Sequence, residues 1–252
     1  MVKIGVIGGS GLETRLGGRN SIEKNVETPY GKPQSPLAAG KIGGVEIVFL
    51  ARHGKTHSAS PSDVNYLANV SALKQEGCTH IISATACGSL REEIKPGDFV
   101  FPGQFIDFTK RRKTTFFEKP VHTPMSLPFC KPLSETLART ADSLEMPNHT
   151  GKTIVTVEGP RFSTKAESAM FRLLGADVIN MTTVPEVVLA RELKMHYSAV
   201  AMATDYDCWK DSEEPVTFEM ILKRMEANGD KLEKLLNAAI PQIRGYGCEY
   251  LK

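Results

Sequence analysis

The 252-residue sequence lacks any apolar run long enough to cross a membrane. Its longest uncharged apolar segments, such as residues 47–51 and 197–203, fall far short of the roughly 20 residues that a membrane-spanning helix needs. The first residues also lack a basic n-region, a long apolar h-region and a small-residue cleavage site. We therefore expect a cytoplasmic protein that does not associate with membranes.

The sequence also has few cysteines and little net charge. The five cysteines are widely spaced and form no C-x-x-C pair, which is typical of reduced thiols and provides no zinc framework. The net charge is only +2, with 31 basic against 29 acidic residues, so nothing in the charge favours nucleic-acid binding. One basic segment, Lys110–Lys113, is predicted to be a solvated loop, with anion binding as the alternative.

What the sequence does contain is an alternation of short apolar, β-branched segments with helical patterns. The predicted strands are Val2–Ile7, Val45–Leu50, His80–Ala84, Asp98–Phe101, Lys152–Val157, Asp177–Asn180 and Tyr197–Ala203. The predicted helices are Asp63–Glu76, Thr164–Leu174, Thr183–Lys194 and Thr217–Ile240, the third opened by a capping box between Thr183 and Glu186. This order predicts a single α/β domain over residues 1–252, with a mainly parallel sheet covered by helices on both faces.

In such a sheet, ligands bind beyond the carboxyl ends of the strands. The first strand leads into a glycine-rich turn with Ser10, which indicates either a phosphate cradle or a plain tight turn, because its spacing differs from that of a dinucleotide site. The second strand leads into Arg52 and His53, which can donate hydrogen bonds to phosphate or form a surface pair. His53 and His57 stand four residues apart without the glutamate of a zinc helix, so we do not expect a metal there.

The later strand ends carry small and acidic residues. The third strand is followed by small residues from Ala84 to Leu90, which allow either close ligand approach or close packing. Thr182 is expected at a helix amino terminus, where free amides favour an anion. Asp205 and Asp207 follow the last strand; burial and mutual repulsion would raise at least one carboxyl pKa, whereas solvated loop acids are the alternative.

Taken in order, these motifs resemble the nucleoside phosphorylase superfamily of the trimeric type, and within it the methylthioadenosine phosphorylases. The most specific segments are Leu50–Gly54, Thr85–Ile94, Val157–Phe162, Gly175–Glu186 and Ala203–Lys210, and the resemblance runs over nearly the whole chain. It implies an α/β fold around a mixed sheet, a homotrimer, and phosphorolysis of S-methyl-5′-thioadenosine to adenine and 5-methylthioribose 1-phosphate. It also implies inorganic phosphate as the co-substrate, with no metal and no organic cofactor.

The resemblance assigns a role to each matching position. Asp205 and Asp207 bind the adenine edge, with Asp205 protonated as the acid at N7. The phosphate-binding positions are Ser10, Arg52, His53, Thr85, Ala86 and Thr182. The remaining substrate-binding positions are Met181 under the ribose, Phe162 at the base, His57 and His122 at the 5′ side, and the apolar wall Phe218, Ile221 and Leu222. The resemblance leaves open whether these two histidines come from the same subunit or from a neighbouring one.

Three departures from the family and three rival functions remain open. Ser10 replaces a common threonine, which is a small change, and the 109–124 segment is short, which leaves the placement of His122 open. The sequence ends at Lys252, whereas many relatives have a further tail that helps to close the 5′ pocket, so we expect a more open 5′ pocket. The rivals are a broader purine nucleoside phosphorylase acting on adenosine or 6-oxopurine nucleosides, a nucleoside hydrolase, and a non-catalytic nucleotide-binding module. Members acting on 6-oxopurines commonly carry Asn at one acidic position, so the two aspartates favour adenine.

Overall fold

The computed structural model describes residues 2–9, 22–212 and 217–245, and these contain nine strands and five helices. The strands are β1 (Lys3–Gly8), β2 (Ile22–Lys24), β3 (Leu37–Ile42), β4 (Val45–Ala51), β5 (His80–Ser89), β6 (Phe99–Phe108), β7 (Asn148–Val157), β8 (Val178–Asn180) and β9 (His196–Asp205). The helices are α1 (Tyr66–Gln75), α2 (Lys131–Ser143), α3 (Lys165–Leu173), α4 (Thr183–Glu192) and α5 (Phe218–Ala239), followed by a 3₁₀ turn at Ile240–Gln242.

The strands form one mixed sheet in the order β2-β3-β4-β1-β5-β8-β7-β6-β9. The centre is parallel: β1 lies between β4 and β5, and β5 also pairs in parallel with β9. Antiparallel pairing occurs where β2 meets β3, β3 meets β4, β5 meets β8 and β6 meets β9. The prediction of an α/β fold around a mixed, largely parallel sheet is confirmed.

The pairing of β5 with both β8 and β9 closes the second half of the sheet into a ring. From β5 the ring runs through β8, β7, β6 and β9 and returns to β5. The carboxyl ends of β5 and β9 are thereby fixed side by side, with Cys87 opposite Ala203 and Gly88 opposite Asp205. A register shift between Cys87 and Gly88 lies directly beside the two predicted acids, as bulges next to ligand sites often do.

Helices cover the two faces of the sheet. On one face, Leu133 and Leu137 of α2 and Leu232, Leu235 and Leu236 of α5 join the core that contains Ile4, Ile82 and Val200. On the other face, α1 and α4 pack over a second core that contains Ile7, Ile81 and Tyr197. Gly5 allows α1 to approach β1, because a Cβ atom there would lie 2.8 Å from Leu73. Among the described residues, no helix combines the length and apolar composition needed to cross a membrane.

Helix α4 begins at Thr183 as predicted, but the capping box predicted at its start is wrong. Val184 is extended (φ −97°, ψ 128°), the N-cap Thr182 makes no side-chain capping bond, and the Glu186 carboxylate points inward to Arg52. The Thr183–Glu186 capping box therefore does not form, because a buried guanidinium takes the carboxylate. A capping box does form at the start of α3, between Thr164 and Glu167.

Candidate functional site

A cavity of about 1130 Å³ opens at the carboxyl ends of the strands. It is lined by residues from β5, β7, β8 and β9, from the segments that follow β1, β4, β7, β8 and β9, and from α5. The predicted site residues that line it are Arg52, His53, His57, Thr85, Ala86, Phe162, Met181, Thr182, Asp205, Asp207, Phe218, Ile221 and Leu222. Residues far apart in sequence thus converge on one cavity.

Two predicted positions are not among the lining residues. Ser10 lies outside the described residues, although its neighbour Gly9 lines the cavity. His122 is exposed to solvent and does not line the cavity of its own chain. Its predicted role at the 5′ side therefore requires a second copy of the chain.

The Arg52 guanidinium lies at one end of the cavity and is held by a buried carboxylate. Nε and Nη2 donate to the two oxygens of Glu186 at 2.6 and 3.3 Å, and Nη1 donates to the Ala84 carbonyl at 2.9 Å. Ser83 and Tyr197 donate to the same carboxylate. Burial alone would lower the pKa of Arg52, but the charge of Glu186 and the hydrogen bond to it together raise the pKa above its usual range. Arg52 thus brings a permanent positive charge to the cavity, while most of its N–H groups are used to fix it.

His53 is neutral and its tautomer is fixed by the backbone. Its Nδ1 lies 3.0 Å from the Ala59 carbonyl oxygen, which can only accept, so Nδ1 carries the proton. Burial, with Arg52 and His57 nearby, lowers the pKa of His53 to about 3. The other nitrogen of the neutral ring is then an acceptor, so donation from it to phosphate would require a second ring proton. It can accept a hydrogen bond from a protonated phosphate oxygen.

Two threonine hydroxyl groups belong to the same cavity as Arg52. The Oγ1 atoms of Thr85 and Thr182 lie 3.0 Å apart, one at β5 and one after β8. Asn180 donates to Thr85 at 3.2 Å and to Thr183 at 2.8 Å, while Thr156 donates to the Asn180 side-chain oxygen. The two hydroxyls and the guanidinium provide the hydrogen-bond donors and the positive charge that a tetrahedral oxyanion requires.

The two aspartates form the opposite end of the cavity. Thr204 donates to Asp205 Oδ2 at 2.7 Å, and the Asp207 backbone N–H donates to Asp205 Oδ1 at 2.8 Å. Both carboxyls are buried, and burial raises the pKa of each above its usual range although hydrogen bonds act against the shift. Gly88 makes room for the pair, because a Cβ atom there would lie 3.0 Å from Asp205 Oδ1. The predicted rise in carboxyl pKa is confirmed in direction.

The side of the cavity between these ends is apolar. Phe162 and Met181 line it, and Gly159 fits closely against Met181, since a Cβ atom at Gly159 would lie 2.5 Å from its sulfur. The outer wall is the first half of α5 with Phe218, and His57 lies between Phe218 and His53 with ring centroids 5.9 and 4.5 Å away. The cavity therefore has a cationic and hydroxylic end, an acidic end and an apolar rim.

Several residues that shape the site were absent from the sequence predictions. Asn180 and Thr204 line the cavity, and each directly precedes a predicted site residue at a strand end, so the strand-end rule could have found them. Met225, Glu226 and Gly229 extend the outer wall along α5. Among the described residues, no group of three or more His, Cys, Asp or Glu side chains has a metal-binding arrangement.

Known proteins are similar to this chain both in sequence and in fold. The model of the phosphorylase superfamily matches residues 3–241. The S-methyl-5′-thioadenosine phosphorylase of Danio rerio is 55% identical over 251 residues, which are 96% of this chain and 89% of that protein. The enzyme of the same name from Xenopus tropicalis is 54% identical over 252 residues, with the same shares of 96% and 89%.

Solved structures agree with the sequence relatives. Methylthioadenosine phosphorylase from Schistosoma mansoni in complex with adenine superposes with a TM-score of 0.92 at 41% identity, covering 96% of this chain and 92% of that one. A variant of the Schistosoma mansoni adenosine/methylthioadenosine phosphorylase in complex with methylthioadenosine gives a TM-score of 0.90 at 40% identity, covering 96% and 91%. The match to the family model over residues 3–241, the identities above 50% and the shared fold show that this chain belongs to the phosphorylase superfamily.

Proposed function

We propose that this cavity catalyses the phosphorolysis of S-methyl-5′-thioadenosine, giving adenine and 5-methylthioribose 1-phosphate. The chain is then a pentosyltransferase with inorganic phosphate as its co-substrate. The observation that carries the proposal is the separation of a phosphate-compatible end, at Arg52, Thr85 and Thr182, from a buried acid pair at Asp205 and Asp207. The relatives that bear the name of this activity, at 50–55% identity, support it.

In this reaction the glycosidic bond between C1′ and N9 breaks, and a phosphate oxygen bonds to C1′. The bonding electrons leave with the base while positive charge develops on the ribose. Phosphate held by the Arg52 end lies where an anion stabilises that charge and where it can attack C1′. Asp205, with its raised pKa, donates a proton or a strong hydrogen bond to N7, so the base leaves as a neutral molecule.

The remaining residues orient the nucleoside. Asp207 accepts from the 6-amino group of adenine, and Phe162 packs near the base. Met181 lies under the ribose, whose hydroxyls its backbone holds. His57 and the wall of Phe218, Ile221 and Leu222 surround the 5′ methylthio group. Ser10 and Ala86 complete the phosphate site, and no metal or organic cofactor takes part.

A homotrimer is part of this proposal, because the exposed His122 reaches a cavity only if another subunit presents it. Sedimentation of the active enzyme tests the assembly. A fully active monomer at assay concentration would contradict it.

Product analysis tests the reaction itself. Methylthioadenosine, adenosine and inosine are each incubated with and without phosphate, and bases and sugars are separated by chromatography. We expect adenine and a sugar 1-phosphate from methylthioadenosine only when phosphate is present. Equal release in phosphate-free buffer would identify a hydrolase, and no turnover of any nucleoside would favour a binding module.

A further inference from the structure

The basic segment Lys110–Lys113 contains one arginine that is not in solvent. The side chain of Arg112 is only 1% exposed, whereas Arg111 and Lys113 are exposed as the sequence predicted. The prediction of a solvated loop is therefore wrong for Arg112. Its partners are backbone carbonyls from segments more than 40 positions away, which leave no local pattern in the sequence.

The Arg112 guanidinium joins the two loops that form the middle of the cavity. Nη1 donates to the carbonyl oxygens of Met181 at 2.6 Å and Val184 at 2.7 Å. Nη2 donates to the carbonyl oxygen of Glu158 at 2.6 Å, at the end of β7. The first loop carries the proposed ribose and phosphate contacts, and the second precedes Phe162, the proposed base contact.

Glu158 holds Arg112 in this orientation. One carboxylate oxygen accepts from Arg112 Nε at 3.1 Å, and the other accepts from the backbone N–H groups of Lys110 and Arg111 at 2.6 and 3.0 Å. Burial alone would raise the pKa of Glu158, but these hydrogen bonds outweigh it and lower the pKa to about 2. The carboxylate thus stays charged at neutral pH and fixes both the backbone and the side chain of the arginine.

The loops that Arg112 joins also contact each other closely. Gly159 has a positive φ of 67° and leaves no space for a Cβ beside the Met181 sulfur. Thr182, whose hydroxyl faces Thr85, lies between the two carbonyls that Arg112 binds through Nη1. Any displacement of Arg112 therefore acts on Met181 and Thr182 together.

We propose that Arg112 is a positioning residue for phosphorolysis, which aligns the Met181–Thr182 segment so that ribose C1′ and phosphate meet in reactive geometry. The proposal rests on the proposed function, because it concerns the alignment of that reaction's two substrates. Arg112 itself does not line the cavity. It acts through the carbonyls it binds. It leaves the choice between bases unchanged, because Phe162 can pack against any purine and the two aspartates lie at and just after the end of the separate strand β9.

The test compares Arg112→Met with Arg111→Met, the same substitution at the exposed neighbour. For Arg112→Met we expect kcat with methylthioadenosine to fall by roughly 10²-fold, the effect of misplacing reacting groups by about 1 Å. The KM for phosphate should rise, while the ratio of kcat/KM for methylthioadenosine to that for methylthioinosine stays as in the wild type. Arg111→Met should keep wild-type constants. Wild-type kcat and KM values in Arg112→Met would overturn the proposal.

Two further measurements separate positioning from folding. Circular dichroism and thermal melting give the folded fraction of each variant, and rates are divided by the amount of folded protein. If Arg112→Met is only less stable, its kcat and KM after this correction will equal those of the wild type. That result would also overturn the proposal. If Arg112→Met does not fold, Arg112→Lys and Glu158→Gln replace it. Each of these variants keeps some of the hydrogen bonds between residues 112 and 158 and the loop carbonyls. Each should show the same rise in the KM for phosphate, with an unchanged preference between bases. A wild-type enzyme without phosphate-dependent turnover in the same assay would instead refute the proposed function.

Discussion

The hydroxyl of Thr204 lies 2.7 Å from Asp205 Oδ2 and 3.2 Å from the carbonyl oxygen of Cys87. One hydroxyl proton can serve either acceptor. When Asp205 is ionised, Thr204 donates to the carboxylate; when Asp205 is protonated on Oδ2, Thr204 can accept from it and donate to Cys87. The threonine therefore satisfies both protonation states of the proposed acid without moving any heavy atom.

This arrangement predicts a shifted pH profile for Thr204→Val. Valine keeps the branched shape but removes a hydrogen bond that stabilises the carboxylate, so the pKa of Asp205 rises further. Because Asp205 acts in its protonated form, the basic limb of the kcat/KM profile should move to higher pH. Thr140→Val, a buried threonine of α2, is the matched control. An unmoved basic limb would mean that this limb reports another group.

The Asp205→Asn variant tests the acid directly. Asparagine has nearly the same size but has no proton to transfer, so turnover of methylthioadenosine should fall by roughly 10²-fold or more. Steady-state kinetics at saturating phosphate measures the loss. Near wild-type turnover would show that N7 is protonated by another group.

Asp207→Asn should change which base is accepted. The amide can donate to a 6-carbonyl, whereas the aspartate matches a 6-amino group, and a mismatch leaves buried polar groups unpaired. The preference should shift from methylthioadenosine towards methylthioinosine, measured as a ratio of kcat/KM values. A uniform loss on both substrates would argue against a role in base recognition.

The buried ion pair of Arg52 and Glu186 predicts how substitutions at these two positions change the free energy of unfolding. Glu186→Gln leaves a guanidinium buried without its counter-charge, so it should lower the free energy of unfolding by about 3–5 kcal/mol. It should also raise the KM for phosphate, because Arg52 is no longer held in place. Urea unfolding of Glu186→Gln, Arg52→Met and the double variant measures the coupling. If the losses simply add, the two residues do not depend on each other.

Acid should destabilise the fold through a stacked histidine pair. The ring centroids of His80 and His196 lie 4.4 Å apart. Burial, and to a smaller extent the charge of His196, lowers the pKa of His80 to about 3. Burial also lowers the pKa of His196. The unfolded chain binds protons near pH 6.5 and the folded chain does not, so stability falls as the pH drops from about 6.5 towards 3. In His80→Phe this dependence should be weaker, whereas the exposed His122→Phe should retain it. Urea unfolding at several pH values would show whether the slopes differ.

The strands that surround the site were predictable because each is an apolar, β-branched segment. Two other strands were missed: β2 has only three exposed residues, and β3 contains Ala and Gly, which are poor strand formers. Helix α2 was also missed, although Pro132 in its first turn and apolar residues at Leu133, Leu137 and Ala141 are a usable signal. Strand β5 continues through the small residues Ala84–Gly88 that were placed after it, because pairing with β9 supports them.

Cavity-lining residues were easier to predict than the residues behind them. Asp205 and Arg52 stand at strand ends, where the topology of an α/β fold brings ligands. Arg112 and the inward orientation of Glu186 depend on partners at distant positions, and no periodicity encodes those contacts. The acceptor role of the second His53 ring nitrogen likewise depends on one contact, between Nδ1 and the carbonyl oxygen of Ala59. Only the folded loop brings that carbonyl to His53.

Helix α5 forms the outer wall of the cavity with its least anchored half. Its buried residues run from Asn228 to Ala239, towards its carboxyl end, whereas Phe218 and Leu222 near its start are about half exposed. The inner walls belong to strands closed into a ring. Amide hydrogens of β5 and β9 should therefore exchange with solvent only through near-global unfolding, while those in the first turns of α5 exchange through local opening. The cavity should thus combine rigid inner walls, at the proposed phosphate and base sites, with a more mobile outer wall at the proposed site of the 5′ substituent.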